Sequence, residues 1–337
     1  MKRFRRFKIR LQRDRWNPLN TLIFLVIFSL FIAAGINGWG FLFTGKWVVA
    51  GVEHAAKQLP DHVPVRGRVL VLSPHPDDET LAAGGLIQDV LQHHGEVAVI
   101  FLTNGDGFPW DARYSSRKLM VNASVYLKLG RVRQTEATLA TNALGVPAKN
   151  VYFLGFPDRG LRSVYLTNYL IPYKSRYTQV DRVPYTNAYK PGSPYTGQEL
   201  ERQVLEIARK FNPDVILAPT PLDQHPDHQA TSFMSSRVLS ELPKARILYY
   251  LVHGGVEWPL PKGYHPSLPL SPPAETSQGI EWQKYPLSPA QQKQKYKAMQ
   301  YYKSQLQLLG RFMQAFNREN ELVLPPAMDV HDDRKNP

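Results

Sequence analysis

Five short apolar runs constrain most strongly what this chain can fold into. They are VRGRVLVLS at 65–73, EVAVIFL at 96–102, VYFL at 151–154, DVILA at 214–218 and RILYYLV at 246–252. Each is too short for a helix, rich in β-branched or aromatic residues, and bounded by Gly, Pro, Asn or Asp. Between them lie segments of helical composition: Glu79–His94, which stops at Gly95; Ser115–Leu144, which stops at Gly145-Val146-Pro147; Thr196–Phe211; and Gln229–Leu242. A last long amphipathic helix is predicted over Pro289–Asn317. Runs that are apolar on both sides must be covered on both sides, so the alternation predicts an α/β fold with a mainly parallel sheet and helices on both faces. Ligands bind such sheets beyond the carboxyl ends of the strands. The residues that follow each run are therefore where chemistry is expected.

Two of those positions carry the same tripeptide. The first run continues into Ser73-Pro74-His75-Pro76-Asp77-Asp78-Glu79-Thr80, and the fourth leads through Pro219–Gln224 into His225-Pro226-Asp227-His228. With 10 His and 28 Pro in 337 residues, chance placement gives about 0.04 copies of His-Pro-Asp. Both copies follow a predicted strand and precede a predicted helix, so a parallel sheet brings them to one edge. Together they offer three histidines and three aspartates, enough for a His2Asp metal site with residues left for acid–base work. Proline within each motif restricts φ and lowers the entropy of holding the side chains in place. Taken singly, Asp77 or Asp78 could equally cap the following helix, and the second motif could be a polar turn.

The chain has no cysteine, which excludes disulfides, thiolate ligands and a thiol nucleophile. Its formal charge of +13 is unevenly spread: Lys2, Arg3, Arg5, Arg6, Lys8, Arg10, Arg13 and Arg15 face only Asp14, so this short tail alone holds +7. A nucleic-acid-binding domain needs its basic face on the folded body, and no nucleic-acid partner is expected. After the tail comes an almost purely apolar stretch, Leu22–Ile36, flanked by Trp16, Trp39 and Trp47. Extended to Phe43, it is long enough for a hydrocarbon core of about 30 Å. It predicts one uncleaved N-terminal transmembrane helix rather than a cleaved signal peptide, although Ala33-Ala34-Gly35 offers small residues for cleavage. By the positive-inside rule the tail would be cytoplasmic and the rest extracytoplasmic, giving a single-pass cell-membrane protein.

The motifs resemble those of the PIG-L/LmbE-like zinc deacetylases. Ser73–Thr80 is similar to that family's first motif and His225–His228 to its second. Arg133-Gln134-Thr135-Glu136, Leu144-Gly145-Val146 and Phe153–Asp158 resemble its middle block, and Lys297-Ala298 with Tyr302–Gln305 its C-terminal helix. The likeness covers about residues 66–320. It implies a Rossmann-like fold and one Zn2+ per chain, with His75, Asp78 and His228 as the metal ligands. It implies Asp77 as general base, His225 as oxyanion stabiliser or acid for the leaving amine, and Asp227 as the residue that orients His225. Arg133 and Asp106 match substrate-side positions of relatives. Read from the residues alone, Arg133 could instead pair with Glu136 on its own helix, and Asp106 could be a turn aspartate.

The expected layout is a basic tail at 1–17, an anchor at 18–44, a linker at 45–64, a deacetylase domain at 65–320 and a tail at 321–337. Two aperiodic proline-rich insertions interrupt the domain, 159–196 and 256–292. The first carries Tyr165, Tyr169, Tyr173, Tyr177, Tyr185, Tyr189 and Tyr195, which either stack on sugar rings or pack against the domain. The expected activity is hydrolysis of the N-acetyl group of an N-acetylglucosamine-type conjugate, a glycolipid or envelope glycan, with release of acetate. The alternatives are a non-catalytic membrane-anchored carbohydrate-binding protein and a metal hydrolase acting on another amide or ester.

Overall fold

The computed structural model describes residues 18–36 and 41–326. All five apolar runs are strands of one parallel sheet: β1 (Arg68–Ser73), β2 (Glu96–Thr103), β3 (Val151–Phe156), β4 (Val215–Pro219) and β5 (Arg246–Tyr250), in the order β3-β2-β1-β4-β5. Alternate side chains feed two cores, as the two-residue period of a strand requires. Val69 and Val71 of β1 face one core and Leu70 and Leu72 the other. The first core is closed by α3 (Asp78–Gln92), α5 (Ala123–Ala143), α9 (Pro289–Met299) and α10 (Lys303–Gln314). The second is closed by α6 (Leu161–Leu166), α7 (Gly197–Phe211) and α8 (Pro226–Ser240). An α/β fold with a five-stranded parallel sheet covered on both faces is what the alternation of apolar runs and helical segments predicts.

Several elements differ from the expectation. The segment Ser115–Leu144 is two helices, α4 (Pro109–Ser116) and α5, separated after the left-handed Arg117 at φ 55°. The long C-terminal helix is also two, α9 and α10, joined at Tyr302, whose buried hydroxyl donates to Glu79. Within α10 the backbone leaves helical geometry at Leu309, just before Gly310, where a glycine permits a kink. A two-stranded antiparallel ribbon, β6 (Gln283–Pro286) with β7 (Asn320–Val323), was not foreseen. It carries ordered packing beyond residue 320 into the segment read as a tail. The tyrosine-rich insertion contains α6 and packs against the domain: Tyr195 donates to the Gly155 carbonyl, and Tyr165 and Tyr169 both donate to Glu201. In the second insertion Trp258 and Trp282 are buried, with their indole N–H groups on the Ser271 and Thr276 carbonyls.

The expectation of a transmembrane anchor is overturned. Among the described residues no helix is long and apolar enough to cross a membrane. The described helices in this region are α1 (Pro18–Ile36) and α2 (Phe41–Lys57). The anchor at 18–44, the membrane as a partner, and the single-pass topology with a cytoplasmic N-terminus and an extracytoplasmic domain are all withdrawn with it. The basic tail 1–17 lies outside the described residues.

Close approach of α3 and α9 is made possible by Gly84, where an added Cβ would lie 3.0 Å from the Lys295 side chain, and the neighbouring Gly85 admits Leu287, just before α9. Beneath this contact sits a buried ion pair. Lys295 Nζ is 2.7 Å from Glu321 Oε1, and the same carboxylate accepts the Gly85 and Leu86 N–H groups at 2.7 and 2.8 Å. Glu321 from β7 thereby ties α9 to α3. Glu321→Ala leaves a buried ammonium and two backbone donors without their acceptor, and is expected to cost about 3–5 kcal/mol. Chemical denaturation measures this; a loss below about 1 kcal/mol would show that the pair does not hold these elements together.

Candidate metal centre and active site

β1 and β4 are hydrogen-bonded neighbours running in the same direction, with Val69 opposite Val215 and Val71 opposite Leu217. Their carboxyl ends therefore emerge side by side. The chain crosses from β3 to β4 over β1, so this is also where the strand order reverses and a crevice opens. Both His-Pro-Asp motifs lie there. Pro76 and Asp77 lead into α3. His225 caps α8, whose first residue is Pro226; its Nδ1 accepts the Asp227 N–H at 3.2 Å.

Three donor atoms meet at this edge. His75 Nδ1 is 3.3 Å from Asp78 Oδ2, His228 Nε2 is 3.2 Å from Asp78 Oδ2, and His228 Nε2 is 3.2 Å from His75 Nδ1. Four ligands placed tetrahedrally at about 2.0–2.1 Å from a cation stand roughly 3.3 Å apart. The triangle thus has the dimensions of one face of such a sphere, and these residues fit a divalent metal. All three are buried. Burial disfavours imidazolium, yet Asp223 and Asp78 push His228 up to about 9. Burial likewise works against ionised Asp78, but His228 and His75 hold it well below the usual carboxylate range. Metal binding would expel the imidazolium proton.

The remaining nitrogen of each histidine is held by a carboxylate, an arrangement that orients metal-ligating imidazoles. His228 Nδ1 is 3.0 Å from Asp223 Oδ2. His75 Nε2 lies 3.3 Å from both Asp158 Oδ1 and Asp227 Oδ2. Asp227 also accepts the Arg159 and Leu161 N–H groups at 2.6 and 3.0 Å. Its carboxylate therefore serves His75. The expectation that it orients His225 is met by the Asp227 backbone instead: the N–H bonded to His225 Nδ1 leaves the ring proton on Nε2.

Asp77 lies beside the triangle and lines the pocket. It stands at the N-cap of α3 but makes no side-chain cap hydrogen bond, so the capping alternative does not apply. Its backbone is in the left-handed half of φ space, at φ 129°. Burial raises its pKa; Arg133 pulls it down, Asp78 pushes it up, and the balance is a rise to about 8. Arg133 is buried and bridges two loops of the site: its Nη2 is 2.7 Å from the Pro76 carbonyl and 3.3 Å from Asp77 Oδ2, and its Nη1 is 3.0 Å from the Gly105 carbonyl. A Cβ at Gly105 would lie 2.1 Å from that guanidinium, so only glycine admits it. Glu136, the alternative partner, accepts from Ser304. Asp106 does not line the pocket; it accepts from Tyr185 Oη and the Asp158 N–H, a buried brace beneath the site.

The pocket holds about 120 Å³ and is completed by residues given no site role from the sequence, although Asp158 and Gln305 fall within the motifs of the resemblance: Asp158 and Arg159 after β3, His253 after β5, and Gln305, Phe312 and Met313 of α10. His253 and Asp158 could have been flagged by their position just past a strand end. Asp223, five residues before His228, carries no motif of its own. Phe312 and Met313 of α10 had no such signal.

The site is an α/β sheet's switch point carrying a two-histidine, one-aspartate triangle with a second carboxylate, Asp77, beside it, a donor set that fits a metal ion. The family model for GlcNAc-PI de-N-acetylases (PIG-L) matches residues 70–239, half of the chain, and the chain belongs to that family. It is 24% identical over 51% of its length to the diacetylchitobiose deacetylase of Thermococcus kodakarensis, covering 49% of that protein. It is 25% identical over 55% to the probable N-acetyl-alpha-D-glucosaminyl L-malate deacetylase 2 of Bacillus anthracis, covering 65%. With the 1D-myo-inositol 2-acetamido-2-deoxy-alpha-D-glucopyranoside deacetylase of Tsukamurella paurometabola it shares 30% identity over 52% of its length, covering 58%. The chain thus spans between half and two thirds of these relatives.

The left-handed backbone of Asp77 makes a stability prediction. Asp77→Gly and Asp77→Ala both remove the carboxylate, but only glycine takes this φ freely. Asp77→Gly should be more stable than Asp77→Ala by about 1 kcal/mol or more in denaturant unfolding. If Asp77→Ala proves at least as stable, the turn carries no strain.

Proposed function

We propose that this protein is a zinc-dependent N-deacetylase that hydrolyses the acetamide of an N-acetylglucosamine-type sugar conjugate and releases acetate. The observation that carries this reading is the donor triangle of His75 Nδ1, Asp78 Oδ2 and His228 Nε2, with edges of 3.2–3.3 Å, on the floor of a pocket that also holds Asp77. Nitrogen and carboxylate donors in this number suit zinc. The names of the matched relatives, each a deacetylase of an N-acetylated glucosamine compound, support the choice of substrate.

Zinc held there supplies the Lewis acid that polarises the amide carbonyl and acidifies the attacking water. The protein's own residues do the rest. Asp77, beside the donor triangle in the pocket, takes the proton from the attacking water. Arg133, bonded to Asp77 and to the Pro76 carbonyl, holds that carboxylate in place. His225 presents Nε2–H, its Nδ1 being occupied by the Asp227 N–H, and meets charge on the developing oxyanion before the proton taken up by Asp77 passes to the departing amine. Asp158 and Asp227 keep the His75 ring in its plane.

The test is acetate release from a panel of N-acetylglucosamine conjugates by the full chain, with and without a chelator, beside Asp77→Asn. Chelation should abolish activity and zinc restore it. Asp77→Asn should fall by about 10²–10⁴ in rate with its metal retained, and His75→Ala should lose the metal. Acetate release indifferent to both chelator and Asp77→Asn would defeat the reading.

A further inference from the structure

One imidazole at the site has no task in the chemistry above. His253 follows β5 directly and lines the pocket together with His75 and Asp78. Among the described residues its ring nitrogens have no hydrogen-bond partner. Its backbone, by contrast, is anchored. The His253 N–H donates to Asp223 Oδ2 at 3.0 Å, the same oxygen that holds His228 Nδ1, and its carbonyl accepts the Gln224 N–H at 2.9 Å. The ring lies over Phe312 at 6.2 Å with an interplanar angle of 10°, and its centroid is 4.7 Å from that of His228. A ring nitrogen of His253 and the donor atoms of His75, Asp78 and His228 all lie within 4.8 Å of one another.

Resting on the metal reading above, we propose that His253 is a fourth, displaceable protein ligand: without substrate its imidazole closes the coordination sphere begun by His75, Asp78 and His228. A tetrahedral ion held by the three fixed donors would have one position left to fill, and His253 lines the pocket beside those donors. Catalytic zinc sites usually leave that position to water or substrate, whereas structural sites fill it with protein. Here the ring is near enough to reach it, and no hydrogen bond has to break for it to move. Its backbone is tied through Asp223 to the imidazole of His228, so the two histidines are placed by one carboxylate. A substrate carbonyl would enter by displacing His253, which then remains beside His225 at 5.1 Å between ring centroids.

The test uses the full chain loaded with cobalt(II). X-ray absorption should count three imidazoles per cobalt in the substrate-free protein, with the intense visible bands of a four-coordinate ion. His253→Ala and the milder His253→Gln should each show two imidazoles, weaker bands, and metal affinity lower by more than about 10-fold in chelator competition. Two imidazoles per cobalt in the unsubstituted protein would overturn the proposal even if neither variant folds, as would a spectrum that His253→Ala leaves unchanged. A chain that takes up no cobalt at all overturns the metal reading itself, so the two failures are told apart.

Discussion

The parallel register of β1 against β4 is the constraint on which the rest of this structure depends. Pairing Val69 with Val215 and Val71 with Leu217 delivers two proline-stiffened turns, 150 residues apart in sequence, to the same end of the sheet. A strand that slipped by one residue would turn its apolar side chains to the wrong core. Because β1 is buried on both faces, that slip is strongly penalised. Core packing therefore positions the donors of His75, Asp78 and His228 to within tenths of an ångström. The site inherits its precision from the sheet rather than from its own loops.

Around the donors lies a set of buried carboxylates, each of which joins segments that are distant in the chain. Asp223 binds the ring of His228 and the backbone of Val252 and His253. Asp227 binds the ring of His75 and the backbone of Arg159 and Leu161. Asp158 binds His75 and the Gly107 N–H at 2.7 Å. Burial disfavours the ionised form of Asp158, but His75, Arg133 and Arg159 hold it down, to about 2. Buried charge of this density is tolerated because nearly every oxygen has a donor or a cation beside it. Such a network resists motion, and that is what a preorganised site needs.

Much of this was legible in the sequence because it is encoded locally. Strands β1 to β5 show as apolar runs, and the helices end near the Gly, Asn and Pro signals at 95, 145–147 and 212–213. The two motifs announced themselves by repetition at strand ends. The breaks in the C-terminal helix did not, since Tyr302 is held by a hydroxyl bonded to Glu79 across the core. The ribbon of β6 and β7 escaped because its strands are four residues each and 33 residues apart, too short and too distant for periodicity to register. The apolar N-terminal stretch misled because its reach was counted along composition, whereas among the described residues no helix is long and apolar enough to cross a membrane.

The sequence by itself determined the sheet, the layering and which residue types could hold a metal, because burial and donor chemistry are properties of single residues and short periods. Tertiary structure alone decided which carboxylate serves which imidazole. It took Asp227 from His225 and gave it to His75, withdrew Asp106 beneath Tyr185, packed the tyrosines of the insertion against the domain, and set His253 at the mouth of the donor triangle. Those outcomes turn on distances between atoms from different strand ends. No local pattern carries that information, since it exists only once the sheet has brought the ends together.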